Sequence, residues 1–134
     1  MTPIDLALET AIRAAITGAL GGTINGIWHD PPLTASPPYV RLSDLITAPW
    51  SAKGFDGMEA RLTIALVTGG EDRAASSDLS AALEAAVLAM PPVIEGARIV
   101  LTTPLRRRMI RQGVTARMGG WASLTDWRLL VERI

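Results

Sequence analysis

No cysteine occurs among the 134 residues, and there is a single histidine. The first absence removes disulfide frameworks and thiolate metal sites, and it agrees with synthesis in a reducing cytoplasm. The second leaves little for metal ligation, which needs several N, O or S donors converging on one point. Charge of one sign is lacking too. Acidic and basic side chains balance at 13 each, so no overall field draws the chain to nucleic acid or anionic lipid. Aromatic residues amount to 4%, few for stacking on bases. No apolar run reaches the roughly 18 residues of a membrane span. The amino-terminal MTPIDLALETAIRAAITGAL carries Asp5 and Glu9 where a secretory signal needs a basic start and an unbroken apolar stretch, so it reads as a helix that is kept. Neither repeats nor low-complexity segments divide the chain.

What the chain does have is apolar mass. Hydrophobic residues make up 49% of it, much of the excess being alanine. A single domain over residues 1–134 of this size buries roughly 65–70% of its unfolded surface, and some apolar surface is left over for a partner.

The pattern along the chain alternates between helical and extended spacing. Thr2 as N-cap and Pro3 at the first helical position open a helix, with Asp5 near its positive end. Leu8, Ile12, Ala15, Ile16 and Ala19 form its buried stripe, and Gly21 and Gly22 end it. A strand over 23–28 is followed by DPPLTASPP, whose prolines require a surface connection. Tyr39 to Leu45 resumes a strand with Val40 and Leu42 on one side and Arg41 and Ser43 on the other. After a polar connection with Trp50, Lys53, Phe55 and Gly57 comes the clearest strand. There Met58, Ala60, Leu62, Ile64 and Leu66 alternate with Glu59, Arg61 and Thr63, the period of a half-buried strand; it pairs with the preceding one.

Gly69 and Gly70 break that strand. Glu71 and Asp72 open a second helix with an apolar stripe of Ala75, Leu79, Ala82, Leu83, Ala86, Val87 and Met90, stopped by Pro91 and Pro92. Arg98 to Thr102 alternates with Ile99 and Leu101 on one face. In the last strand Trp127, Leu129 and Val131 face one way, and Asp126, Arg128 and Glu132 the other. Between these lies Pro104 to Gly120, read as a long hairpin or arm beyond the body of the sheet. The sum is an α+β fold: an antiparallel sheet of about four to six strands with two helices packed on one face.

Few residues suggest chemistry. His29 beside Asp30 could be drawn as an acid/base pair or a ligand, but there is no second His and no Cys, and no Gly-x-Ser-x-Gly elbow supports a triad. It reads as a loop or strand-end residue. Gly18, Gly21, Gly22 and Gly26 leave a helix and enter a strand, the reverse of a phosphate loop, and lack its Lys-Ser/Thr ending. Gly69 and Gly70 precede a helix, yet Glu71 and Asp72 stand where an anion would bind. No catalytic, cofactor or metal residue is assigned.

The one charge cluster is Arg106, Arg107 and Arg108, with Arg111 and Arg117 beyond. Guanidinium suits carboxylate and phosphate alike, so salt bridges to a protein neighbour, contact with DNA and a plain solvated arm all stand open. Glu59, Glu71 and Asp72 are candidate carboxylate partners for these arginines should the neighbour be a protein. Trp127 belongs to the core by its alternation. Trp50, in a polar loop with Lys53 and Phe55, is either a cap on the core or a partner contact. The interface candidates are thus Trp50, Lys53, Phe55, Glu59, Arg106, Arg107, Arg108 and Arg111.

The order of these features resembles the small tail-terminator, or tail-completion, family of siphophages, prophages and gene transfer agents. It is carried by DLALETAIRAAI, IWHDPP, PPYVRLSD, APWSAKGFDGMEARLTIAL, an alanine-rich helix and WRLLVERI. The most specific part is Pro38, Tyr39 and Val40 followed by Trp50, Lys53, Gly57 and Glu59. The resemblance implies a non-enzymatic virion protein at the head-proximal end of a tail, assembled in the bacterial cytoplasm. It implies a homo-hexameric ring that stops polymerisation of the major tail tube protein, docks the head connector or stopper, and lets DNA pass through its channel without sequence-specific binding. Neither a cofactor nor a membrane is implied. A stopper or adaptor of the same neck, a small nucleic-acid-binding module, and a hydrolase using His29 are the alternative readings.

Overall fold

Pro3 starts the first helix from outside it. In the computed structural model, which describes residues 3–112 and 120–134, Pro3 is the N-cap of α1 (Ile4–Leu20), with φ −57° and ψ 145°. Its carbonyl accepts from Ala7 N at 3.0 Å. Pro3 is therefore one position earlier than expected, and Thr2 lies outside the described residues. Ile4, Leu8, Ile12, Ile16 and Leu20 recur every four residues and are all buried, the stripe of a helix lying on a core. Leu20 takes the place expected of Ala19, which is exposed; one residue of offset turns a side chain about 100° away.

The second helix, α2 (Arg73–Leu88), is capped by Asp72, whose carboxylate accepts from Ala74 N at 3.0 Å and Ala75 N at 3.2 Å. Its inward face differs from the alanine stripe expected. Ser76, Ser80, Leu83 and Val87 are buried, while Ala75 and Ala82 are exposed. Burial of serine is tolerable because each hydroxyl finds a partner on the sheet: Thr68 Oγ1 donates to Ser76 Oγ at 2.8 Å, and Ser80 Oγ lies 2.6 Å from Ser123 Oγ.

Seven strands form one curled sheet: β1 (Ile27–Trp28), β2 (Tyr39–Leu42), β3 (Ile46–Pro49), β4 (Gly57–Thr68), β5 (Val93–Ile94), β6 (Ala97–Arg111) and β7 (Trp121–Arg133). Their order is β1-β2-β4-β7-β6-β5, with β3 beside β4 on the same side as β2. Only β1 and β2 run parallel; the other pairs are antiparallel. The count exceeds the four to six expected because β3 and the two-residue β5 carry no readable alternation. The expected strand over 23–28 shrinks to its last two residues, since Thr23 N and Ile24 N bond back to Leu20 O and continue the helix end. The strand expected to reach Leu45 stops at Leu42, where Ser43 Oγ accepts from Thr63 N at 2.8 Å. That side chain stands in for a backbone carbonyl and lets the chain kink before β3 pairs with β4 again.

Alternation in β4 and β7 is as the sequence indicates. Ala60, Leu62, Ile64 and Leu66 with Trp127, Leu129 and Val131 are buried under both helices. In β6 the simple alternation fails at Leu101, which is 46% exposed. A bulge between Ile99 and Leu101 sets Leu101 opposite Leu130 and Thr102 opposite Leu129, so the two exchange faces. A second bulge separates Pro104 from Arg106. The hairpin expected between Pro104 and Gly120 exists, but its described part belongs to the sheet: Arg106 to Arg111 pairs with Asp126 to Trp121. Residues 113–119, which include Arg117, lie outside the described residues. Gly120, at φ +116°, closes the described end, and a Cβ there would strike the Thr68 carbonyl.

Candidate functional site

The candidate residues fall into three places along one sheet. At one end is the tip of the β3–β4 hairpin, where Trp50 N donates to Gly57 O at 3.0 Å. Trp50 and Phe55 meet edge to face, with ring centroids 5.0 Å apart, an arrangement favoured by the ring quadrupoles. Ala52 and Phe55 exchange backbone hydrogen bonds of 3.3 and 3.1 Å. Ser51 Oγ donates to Asp56 Oδ1 at 3.1 Å, and Asp56 accepts from Arg133 Nε at 3.3 Å. Gly57 is required here because a Cβ would run into the Trp50 carbonyl and ring and the Val131 carbonyl. Lys53 projects from this tip, exposed.

The middle of the sheet face away from the helices holds a layer of ion pairs. Glu59 accepts from Arg128 Nε at 2.9 Å and from Arg61 Nε at 3.2 Å. The Arg128 hydrogen bond, reinforced by Arg61, holds the Glu59 carboxyl below its ordinary range. Asp126 accepts from Thr63 Oγ1 at 2.7 Å and Arg106 Nε at 2.6 Å, and those bonds, Thr63 first, lower its pKa. Arg108 shares this face and lines a groove of about 420 Å³ with His29, Arg41 and Asp44. Arg106 and Arg108 thus lie on the uncovered face.

Arg107 and Arg111 lie on the other. Arg107 Nη1 is 3.7 Å from Glu84 Oε2 on α2. Arg111 Nη2 is 3.0 Å from Glu71 Oε1, and its guanidinium stands 5.7 Å from the centroid of Trp121. Arg73 approaches the same ring at 5.8 Å, and Trp121 Nε1 donates to Glu71 O at 3.3 Å. This stack marks the end of the sheet opposite the Trp50 tip. The two ends are the ends of β4, Gly57 to Thr68, about 35 Å apart at about 3.3 Å per residue.

Trp121, Arg73, Arg61 and Arg128 were not among the interface candidates that the sequence suggested. The signal for Trp121 was its place straight after Gly119 and Gly120, opening a strand whose inward residues Ser123 and Thr125 are polar and conceal the alternation. The three acids proposed as seam partners have roles within the chain: Glu59 in the face network, Glu71 against Arg111, and Asp72 as helix cap. His29 Nε2 is 2.7 Å from Glu9 Oε1, and its Nδ1 is 3.0 Å from Leu42 O. With Arg13 Nη1 donating to Ile27 O at 3.0 Å, these contacts pin α1 to the β1–β2 edge, a structural use of the histidine.

The described ion pairs and ring contacts hold one chain together on a small α+β body, and among the described residues no group of metal-ligating side chains accompanies them. The model of the family described as tail completion protein gp17 matches residues 7–120. The chain belongs to that family. It is a tail completion protein, a structural component of a virion tail and not an enzyme. Among solved structures it is similar in fold to a chain of the virion of a native gene transfer agent particle. The TM-score is 0.69 and the identity 23%, with 98% of this chain and 99% of that chain covered. No curated protein matches.

Proposed function

We propose that the protein is the tail terminator of a phage-like particle: a homo-hexameric ring on the head-proximal end of the tail tube. There it ends polymerisation of the tube protein and offers the surface on which the head connector docks, and DNA passes through its channel without sequence-specific binding. The carrying observation is the separation of two unlike patches, the Trp50–Phe55 tip and the Arg111–Trp121–Glu71 stack, at opposite ends of one sheet. A cyclic ring needs a heterologous contact, in which one patch meets a different patch of the next copy. Membership of the tail completion family supports the placement in the tail, and the fold shared with a chain of a gene transfer agent virion is consistent with it.

Trp50, Lys53 and Phe55 serve the interface at one end, and Arg106, Arg107, Arg108 and Arg111 with Glu59 at the other and across the face. Native mass spectrometry of the full chain, alone and with the tube protein, together with electron microscopy of particles lacking it, tests this reading. Sixfold rings, and tails of uncontrolled length without the protein, are the expected results. Tails of normal length joined to heads in its absence would overturn it.

A further inference from the structure

The apolar surface left over by folding is concentrated on the margins of the sheet. Of the ten large hydrophobic side chains exposed among the described residues, six lie on margin strands: Ile46 on β3, Val93 on β5, and Val100, Leu101, Leu105 and Ile110 on β6. Those strands also have unpaired backbone. β5 covers β6 only at Ala97 and Arg98, and Ile99 N bonds to Pro92 O. From Val100 to Arg111, β6 has β7 as its one partner strand among the described residues. β3 pairs only with β4 and is exposed at all four residues. An open, apolar strand margin is a template for another strand.

We propose that β6 of one copy pairs edge to edge with β3 of the next copy, joining neighbouring subunits through a continuous sheet. The inference rests on the ring reading and supplies its seam. Strand direction permits it: β4 and β6 run one way and β3 and β7 the other, so a β3 arriving in the same orientation meets β6 antiparallel. The two margins are different strands on opposite sides of the sheet, so the contact is heterologous, the kind that makes a ring when its rotation closes. Charge selects β3 over a second β6. Pairing β6 with itself brings Arg106–Arg108 against its own copy, and like charges directly opposite destabilise a sheet. β3 carries no charge and follows Asp44. Pairing Ile46–Pro49 with the Leu101–Leu105 part of β6 brings the neighbour's Asp44 towards Arg106–Arg108, where Arg108 has no hydrogen bond or salt bridge within the chain among the described residues.

The cysteine-free sequence makes the test direct. Ala48→Cys is combined in turn with Leu101→Cys and Thr103→Cys, residues that share the uncovered face by register, and full-length protein in assembled particles is oxidised. Within one chain β3 and β6 are three strand spacings apart, about 14 Å, beyond the roughly 7 Å reach of a disulfide. A ladder of linked chains on a non-reducing gel, absent from each single variant, is the expected result. Dimers from Thr103→Cys alone would replace the proposal with a two-fold β6 contact, in a register that keeps the two arginine runs apart. Oligomers present in the particle without a ladder from either double variant would overturn the strand pairing and leave the ring standing, whereas particles with no oligomer of this chain at the neck would overturn both. As a second variant, Ile46→Lys with Leu101→Lys, both exposed in the monomer, is expected to lose ring assembly with an unchanged circular dichroism spectrum; rings that persist would count against the seam.

Discussion

Arg106 donates through Nε to Asp126 Oδ2 at 2.6 Å, and it does so because Leu105 bulges out of the ladder beside it. Without the extra residue, Leu105 would stand opposite Asp126 and Arg106 would turn under the helices. The bulge sends Arg106 to the uncovered face, where Asp126 also receives Thr63 Oγ1.

Acid sensitivity follows from that layer. Glu59 and Asp126 both titrate below their ordinary values in the folded chain, through Arg128 and Arg61 and through Thr63 and Arg106. The unfolded chain therefore binds more protons between the native and ordinary values, and stability rises with pH across that window. The contribution is complete above the ordinary carboxylate range, about pH 4, and is lost as pH falls through the native values. Arg128→Gln and Arg106→Gln are each expected to flatten the slope of urea-derived stability against pH below about pH 5. An unchanged slope would show that the pairs do not persist in solution.

Ser80 and Ser123 form a buried hydroxyl pair joining α2 to β7. Removing one hydroxyl leaves the other without its partner, so Ser80→Ala is expected to cost about 1–3 kcal/mol. The double change Ser80→Ala with Ser123→Ala is expected to cost less than the sum of the single ones, because no orphan remains. Chemical denaturation of the four proteins of this cycle measures the difference.

Gly57→Ala places a methyl against the Trp50 carbonyl and ring. Such overpacking costs about 1–3 kcal/mol, and the hairpin tip should shift to relieve it. Trp50 emission is expected to move to longer wavelength, a change that disappears in the Trp50→Phe background.

Trp127 is fully buried, and its Nε1 has no hydrogen-bond partner among the described residues. Its worth is thus packing alone, and Trp127→Ala is expected to cost about 3–5 kcal/mol by thermal or urea unfolding. Trp127→Phe is expected to cost much less, since it keeps an aromatic ring in the core and removes the unpaired N–H.

The residues alone determined the two helices, the sheet strands around β4 and β7, and the apolar face between them, because the helical period of about 3.6 and the strand period of two need only local geometry. They also carried the family resemblance, and the lack of cysteine excluded disulfide and thiolate chemistry. Tertiary structure decided what local spacing cannot encode. The first bulge in β6 exchanged the faces of Leu101 and Thr102, and the second restored the alternation, so that Arg106 and Arg108 stand on the open face and Arg107 and Arg111 towards α2. Serines went inside α2 because hydroxyls on strands far away in sequence were there to meet them. Which strands stand at the margins, and so where a neighbour can add, is set by pairing order, a property of contacts between distant segments.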